Sequence, residues 1–246
     1  TSDALIQVRY PPSQGFPNRQ LENIGEVQNS GLEVKFDAGL VRRSNFDWRG
    51  RVNFTHLKSE ATDLGDEPLI AVGGSFTEVR VGYPVTSLFA RKILNADKFE
   101  APVRSDTNMY IGPTWPTNIM GFGTTLTLFD KLTIDGLGEF QKGGYNINYV
   151  GYQNAIRGNW RPCYANQRAI IAAAKGDASA LNGINALDRT RCGYNTTQNL
   201  GDVWIQKLDF FRLRYVTLSY RVPAKWIPGS RGGTLSLAGR NLFLST

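Results

Sequence analysis

The sequence predicts an all-β protein: an antiparallel transmembrane β-barrel segment with short turns at one end and long loops at the other. Three observations predict it. Apolar and polar residues alternate with period two in six separate segments. The links between those segments alternate between short and very long. Composition is rich in Gly (26), Phe (13), Tyr (10) and Trp (5), whereas helical patterning is confined to one short stretch.

The segments follow in order. In "GLEVKFDAGL", Leu32, Val34, Phe36, Ala38 and Leu40 share one face, and Glu33, Lys35, Asp37 and Gly39 the other. "FDWRGRVNFTHL" sets Phe46, Trp48, Val52 and Phe54 against Asp47, Arg49, Arg51, Asn53 and Thr55. "NIMGFGTTLTLF" groups Met120, Phe122, Leu126 and Leu128, and "LTIDGLGEF" groups Leu132, Ile134 and Phe140 opposite Thr133, Asp135 and Glu139. "DFFRLRYVTLSYRV" aligns Val216, Leu218, Tyr220 and Val222 after an irregular start at Phe210–Arg214. "TLSLAGRNLFLST" is the sixth, interrupted at Asn241, and "ALIQVRY" near the start is the tail of one more.

Links at about 41–46, 129–131 and 223–233 are short, and those at about 59–112 and 142–207 are long. Compact domains seldom hold structureless loops beyond ~15 residues, whereas outer-membrane barrels alternate short periplasmic turns with long extracellular loops. The charged stripe of Glu33, Lys35, Asp37, Arg49 and Arg51 is too dense for a packed core and suits a water-filled lumen, with Asp135 and Glu139 lining it too. Aromatics (Phe46, Trp48, Phe129, Tyr220, Trp226) gather near the short turns as an interfacial girdle would. A soluble antiparallel sheet with one wet face shows the same alternation, so a secreted carbohydrate-binding sandwich is the competing architecture.

Composition excludes several classes. No run of ~18 apolar residues encodes a membrane helix, which a barrel does not need. "TSDALIQVRY" has neither the basic start nor the apolar core of a signal peptide, leaving a cytosolic chain or one whose N-terminus lies upstream. Net charge is +7, but the 28 Lys and Arg are scattered without a nucleic-acid motif, so no nucleic-acid partner is expected. With one histidine, His56, and two cysteines outside zinc spacing, neither a metal site nor a cofactor is expected. Cys163 and Cys192 are read as a loop-closing disulfide in preference to two free thiols.

Catalysis finds no constellation, and no enzyme is expected. His56 sits on a strand beside Lys58 and Glu60. Asp135 and Glu139, four apart on one strand face, are roughly 13 Å apart, too far for a carboxylate dyad. "GFGTT" lacks the lysine and helix start of a phosphate loop. Binding chemistry concentrates at 142–207, where Tyr145, Tyr149, Tyr152 and Trp160 sit among amides such as Asn154. Such groups stack on sugars or peptides and bond their edges, or else pack the loop on itself. "YANQRAIIAAAKGDASALNG" has the density of a short loop helix.

Six stretches resemble, in order, the SusC/RagA-type TonB-dependent outer-membrane transporters. The signature Asn-x-Gly-x-x-x-Asn-x-Gly-x-Glu matches Asn23, Gly25, Asn29, Gly31 and Glu33, and "FDWRGRVNFTHLKSEATDLG" looks like the following strand. The Gly-Tyr-Pro segment falls at Gly82, Tyr83 and Pro84, and the Gly-x-x-x-Pro strand start at Gly112 and Pro116. The Phe-x-Arg-Leu strand matches Phe210 or Phe211, Arg212, Leu213, Leu218, Tyr220 and Pro223, and "LAGRNLFLST" is similar to the late Gly-x-Asn-Leu-Phe segment. "NADKFEAPVRSDTNM" departs from the Asp/Asn/Gly-rich stretch of related chains, which puts any calcium-like loop site there in doubt.

The resemblance implies about six to seven strands of a larger barrel of ~22 strands, with plug, first strands and last strands outside residues 1–246. It further implies a cell outer-membrane location in contact with membrane lipids. The implied activity is active import of a nutrient, an oligosaccharide or a peptide, with a siderophore-type receptor as an alternative. The implied partners are a SusD-like surface lipoprotein and, through the plug, the TonB–ExbB–ExbD complex.

Overall fold

A computed structural model describes residues 4–8 and 20–24 by their backbone, and residues 25–67, 69–72, 76–193 and 201–246 in full. Its strands are β1 (Ala4–Val8), β2 (Gln20–Arg43), β3 (Phe46–Asp63), β4 (Ile70–Ala71), β5 (Thr77–Val79), β6 (Ser87–Ala90), β7 (Met109–Pro113), β8 (Asn118–Leu128), β9 (Leu132–Lys142), β10 (Tyr145–Ile147), β11 (Ile205–Lys207), β12 (Phe210–Val222) and β13 (Gly233–Ser245). Three helices, α1 (Tyr149–Ile156), α2 (Tyr164–Ala174) and α3 (Ala186–Arg191), lie between β10 and β11. A seven-stranded sheet runs β1-β2-β3-β8-β9-β12-β13, and the pairings described are antiparallel. The all-β reading therefore holds, and the six alternating segments each form a strand. Of "ALIQVRY", Ala4–Val8 forms β1, and Arg9 and Tyr10 lie outside the described residues.

By contacts the chain divides into two units. One holds residues 29–58, 116–144 and 208–246, and the other residues 1–28, 59–115 and 145–207.

The first of these is a two-faced sheet. Cross-strand partners share a face, so register alone assigns the sides. On one face five rows run from β3 through β8, β9 and β12 to β13. They are Phe46–Leu128–Leu132–Tyr220–Leu235, Trp48–Leu126–Ile134–Leu218–Leu237, Gly50–Thr124–Gly136–Val216–Gly239, Val52–Phe122–Gly138–Leu213–Phe243 and Phe54–Met120–Phe140–Phe211–Ser245. None contains a charge. The next row, His56–Asn118–Lys142, is polar and ends the band. The band is open: Leu237 is 73% exposed and Leu218 40%. Gly138 is one of its packing devices. Phe122 and Phe211 stack across it at 5.5 Å with planes 5° apart, and a Cβ there would lie 2.6 Å from Phe122 and 3.0 Å from Phe211.

The irregular start of β12 has a physical cause. Leu213 pairs with Gly138 and Tyr215 with Leu137, so Arg214 is an extra residue and the alternation of β12 inverts there. Before it Phe211 and Leu213 face the apolar side; after it Val216, Leu218 and Tyr220 do. β13 answers with its own irregularity between Arg240 and Phe243, where Asn241 takes a left-handed φ of 51°. Asn tolerates that conformation better than most residues. The "GRNLF" motif is thus a bulge.

The other unit contains the two long connections, and neither is structureless. β4-β5-β6-β7 form an antiparallel sheet. The Gly-Tyr-Pro stretch sits beside it. Gly82 adopts φ +83°, and Tyr83 meets the rings of Phe89 and Tyr110 at 5.2 and 5.0 Å. Arg80 lies 4.1 Å over Phe89 while bonding Glu78. In 142–207 a core of Tyr152, Ala155, Ala186, Val203 and Trp204 is closed by the Cys163–Cys192 disulfide, Cα atoms 5.2 Å apart.

Candidate functional site

The polar face of the sheet holds the candidate site, because the same register that collects the apolar rows collects the charges opposite. Its rows include Asp47–Thr127–Thr133–Ser219–Ser236, Arg49–Thr125–Asp135–Thr217–Ala238, Arg51–Gly123–Leu137–Tyr215–Arg240 and Asn53–Gly121–Glu139–Arg212–Leu244. Of the residues expected to line a lumen, the described register places Arg49, Arg51, Asp135 and Glu139 together here. On β2, Gly31 faces the Leu57 side chain, and Leu57 shares the parity of Arg51. Glu33, Lys35 and Asp37, two, four and six residues on, therefore lie on this side too.

Arg51 shows how the face is wired. Gly123 has no side chain, so the arm of Arg51 lies flat across it, and a Cβ at Gly123 would collide with that arm. The guanidinium thereby reaches β9 and β12. It donates to both Asp135 oxygens at 3.4 Å and to the Tyr215 hydroxyl at 2.9 Å. Thr125 Oγ1 donates to Asp135 at 2.5 Å. Four strands are tied by one arginine and one carboxylate. The bulge supplies a second tie, because it turns Arg214 as well as Tyr215 onto this face and lets Arg214 bond Glu139. Lys35–Asp37 (3.5 Å) and Arg49–Asp47 (2.9 Å) complete the pairs. A concavity of about 870 Å³ opens among Asp37, Gly39, Asp47, Arg49, Arg51 and Thr125. Solvated pairs of this kind contribute little stability, typically below ~1 kcal/mol each. Their effect is to keep a charged surface flat and wet.

The aromatic candidates at 142–207 separate into packing and surface. Tyr152 is buried and meets Trp204 edge-on at 6.2 Å, and Trp160 packs on the same indole at 6.2 Å. Tyr145 lies over Gly112, where a Cβ would collide with its ring, which explains the glycine of the Gly-x-x-x-Pro stretch. Asn154 donates to Val150 O at 2.9 Å, back onto its own helix α1. Tyr149 is 55% exposed and, with Val150, presents the open surface of that helix. The buried Gln167 donates to Ala155 O at 2.7 Å, tying α2 to α1.

Next to this core, burial pushes the Asp202 carboxyl above its usual value, against donation from Ile93 and Val203 N–H and the charges of Lys92 and Arg104. Its Oδ1 and the Trp204 indole N–H have no hydrogen-bond partner among the described residues. The described residues form no cluster of metal-ligating side chains.

No family model matches the chain. In sequence it is 24% identical over 288 aligned residues to TonB-dependent receptor P26 of Formosa agariphila, covering 99% of this chain. In fold, the whole chain superposes on the RagAB peptide importer in its closed-closed state with a TM-score of 0.73 at 18% identity. The open-open state gives 0.71, also at 18% identity. The chain spans 27% of the receptor's length and 28–29% of the RagAB chains. The SusC/RagA-type resemblance carried by the motifs therefore stands in both sequence and fold.

Proposed function

We propose that this chain is a stretch of wall and loops of an outer-membrane TonB-dependent transporter that imports a nutrient, a peptide or an oligosaccharide. The single observation that carries the reading is the two-faced sheet, with an open, uncharged five-row band on one side and a network of charged side chains on the other. In water such a band is a contiguous exposed apolar patch of a kind that soluble monomers rarely present. Against lipid it is the required surface, and the charged face then lines a hydrated path. A soluble carbohydrate-binding sandwich would bury that face under a second sheet, whereas Leu218 is 40% and Leu237 73% exposed.

In this reading Glu33, Lys35, Asp37, Arg49, Arg51, Asp135 and Glu139 line the lumen. The stapled helical segment around Tyr149 meets ligand on the outer side. A SusD-like lipoprotein would close over the loops, and TonB–ExbB–ExbD would act through a plug. The wall's part in transport is to hold a rigid wet surface: paired charges solvate a passing polar solute without offering one deep trap. The test is whether the protein fractionates with outer membranes, needs detergent for extraction and shifts in electrophoretic mobility on heating. Uptake of a labelled peptide should stop when the proton-motive force is dissipated. A protein that is monomeric and folded without detergent defeats the proposal.

A further inference from the structure

From Phe210 to Thr246 the sequence contains no Asp or Glu, yet it carries Arg212, Arg214, Arg221, Lys225, Arg231 and Arg240. Register places Arg212, Arg221 and Arg240 on the polar face of β12 and β13. Elsewhere on that face four carboxylates are matched: Asp37 by Lys35, Asp47 by Arg49, Asp135 by Arg51 and Glu139 by Arg214. Arg212, Arg221 and Arg240 pair with no carboxylate among the described residues. Arg212 instead lies over the Phe210 ring, its guanidinium carbon 5.2 Å from the ring centroid. Unpaired arginines therefore run along β12–β13 over roughly 25–30 Å, from Arg212 to Arg221, at the strand rise.

We propose that the polar face of β12–β13 is a cationic track that selects acidic peptides. This deepens, and rests on, the transporter reading. The planar fork of arginine binds carboxylates two-pronged. In an extended peptide the side chains on one side recur every ~7 Å, the repeat of the facing strand itself. A channel wall of one sign raises the local concentration of opposite charge roughly 10- to 1,000-fold. The paired network on β3, β8 and β9 provides the neutral counterpart, so the selection resides on one side of the wall.

The experiment measures binding of hexaglutamate, hexaglutamine and octagalacturonate to the protein in outer membranes of producing cells. Wild type is compared with Arg212→Gln/Arg240→Gln, and heat-modifiable mobility verifies insertion. Arg221→Gln is a second variant on the same face. The expected result is tighter binding of hexaglutamate than of either other probe, weakened about tenfold in the double variant and by added salt. Hexaglutamine should bind equally to all variants. Equal affinity for the two peptides, no binding of either, unchanged hexaglutamate affinity in both variants, or preference for octagalacturonate would each overturn the inference. The transporter reading fails on a different measurement, uptake that is indifferent to the proton-motive force.

Discussion

Replacing Val216 and its neighbour Thr217 by arginine, one at a time, tests the two-faced wall most directly. Val216 lies in the middle of the five apolar rows, beside Gly136 and Gly239, while Thr217 points to the other side beside Asp135. The band spans eight residue steps from Phe46 to Phe54. At the strand rise and a barrel tilt of ~40°, that is roughly 20 Å of height, close to the ~25 Å of a lipid-facing band. In the proposed transporter Val216 therefore sits near the bilayer midplane, where an arginine costs about 2–4 kcal/mol. At 1.4 kcal/mol per tenfold, a cost of ~3 kcal/mol is roughly a 150-fold shift in the folding equilibrium. Thr217→Arg should change stability by less than ~0.5 kcal/mol, and Tyr220→Arg, at the rim row, by about 0–1 kcal/mol. Urea titration of refolding into lipid vesicles, read by the heat-modifiable band, measures all three. Equal costs at 216 and 217, or a larger one at 217, would refute the assignment of faces. So would a Val216→Arg protein that gains solubility and keeps its stability.

Further outcomes are expected elsewhere. Gly138→Ala forces the Phe122–Phe211 stack apart and should cost about 1–3 kcal/mol in the same titration, because an overpacked contact has no slack. Cys163→Ala/Cys192→Ala opens a 29-residue separation; chain entropy puts the loss near 3.5 kcal/mol. It should appear as faster proteolysis within 149–192, with the heat-modifiable band unchanged. Asp202 has a folded pKa above the usual 3.8, so the folded state keeps its proton to higher pH than the unfolded one. Its contribution to stability is present at low pH and lost as pH rises from the usual value through the raised one. Asp202→Asn should flatten that part of the pH profile of proteolytic protection around residues 149–204, and an unchanged profile would assign the dependence to other groups.

The wall was legible in the sequence because its strands obey a local rule. Period-two alternation located β2, β3, β8, β9, β12 and β13, and the short links fell where the chain turns. The inversion at Arg214 was visible only as disorder in the pattern, since a bulge is a fact about two strands: Asn241 on the neighbouring β13 accommodates it. The wiring of Arg51 to Asp135 and Tyr215 depends on register across four strands, which no single segment encodes. A glycine opposite an arginine is the signal that could have suggested it.

The long connections were harder. The helix over "YANQRAII" was expected and α2 forms there. α1 contains a glycine and two tyrosines and draws its order from the Asn148 cap and the Trp204 core. α3 is six residues long, capped by Asn185. β4–β7 are two to five residues each, below the length at which alternation can be read.

Gly121 and Gly123 hold a last consequence. Asn53 and Arg51 rest in the grooves these glycines leave, flush with the backbone. Any larger residue at either position would lever the facing arm off the sheet and into the space before it. The free bore of a conduit built from such walls is then set by residues with no side chain at all, and its calibre could be narrowed by a single methyl group without adding or removing one charge.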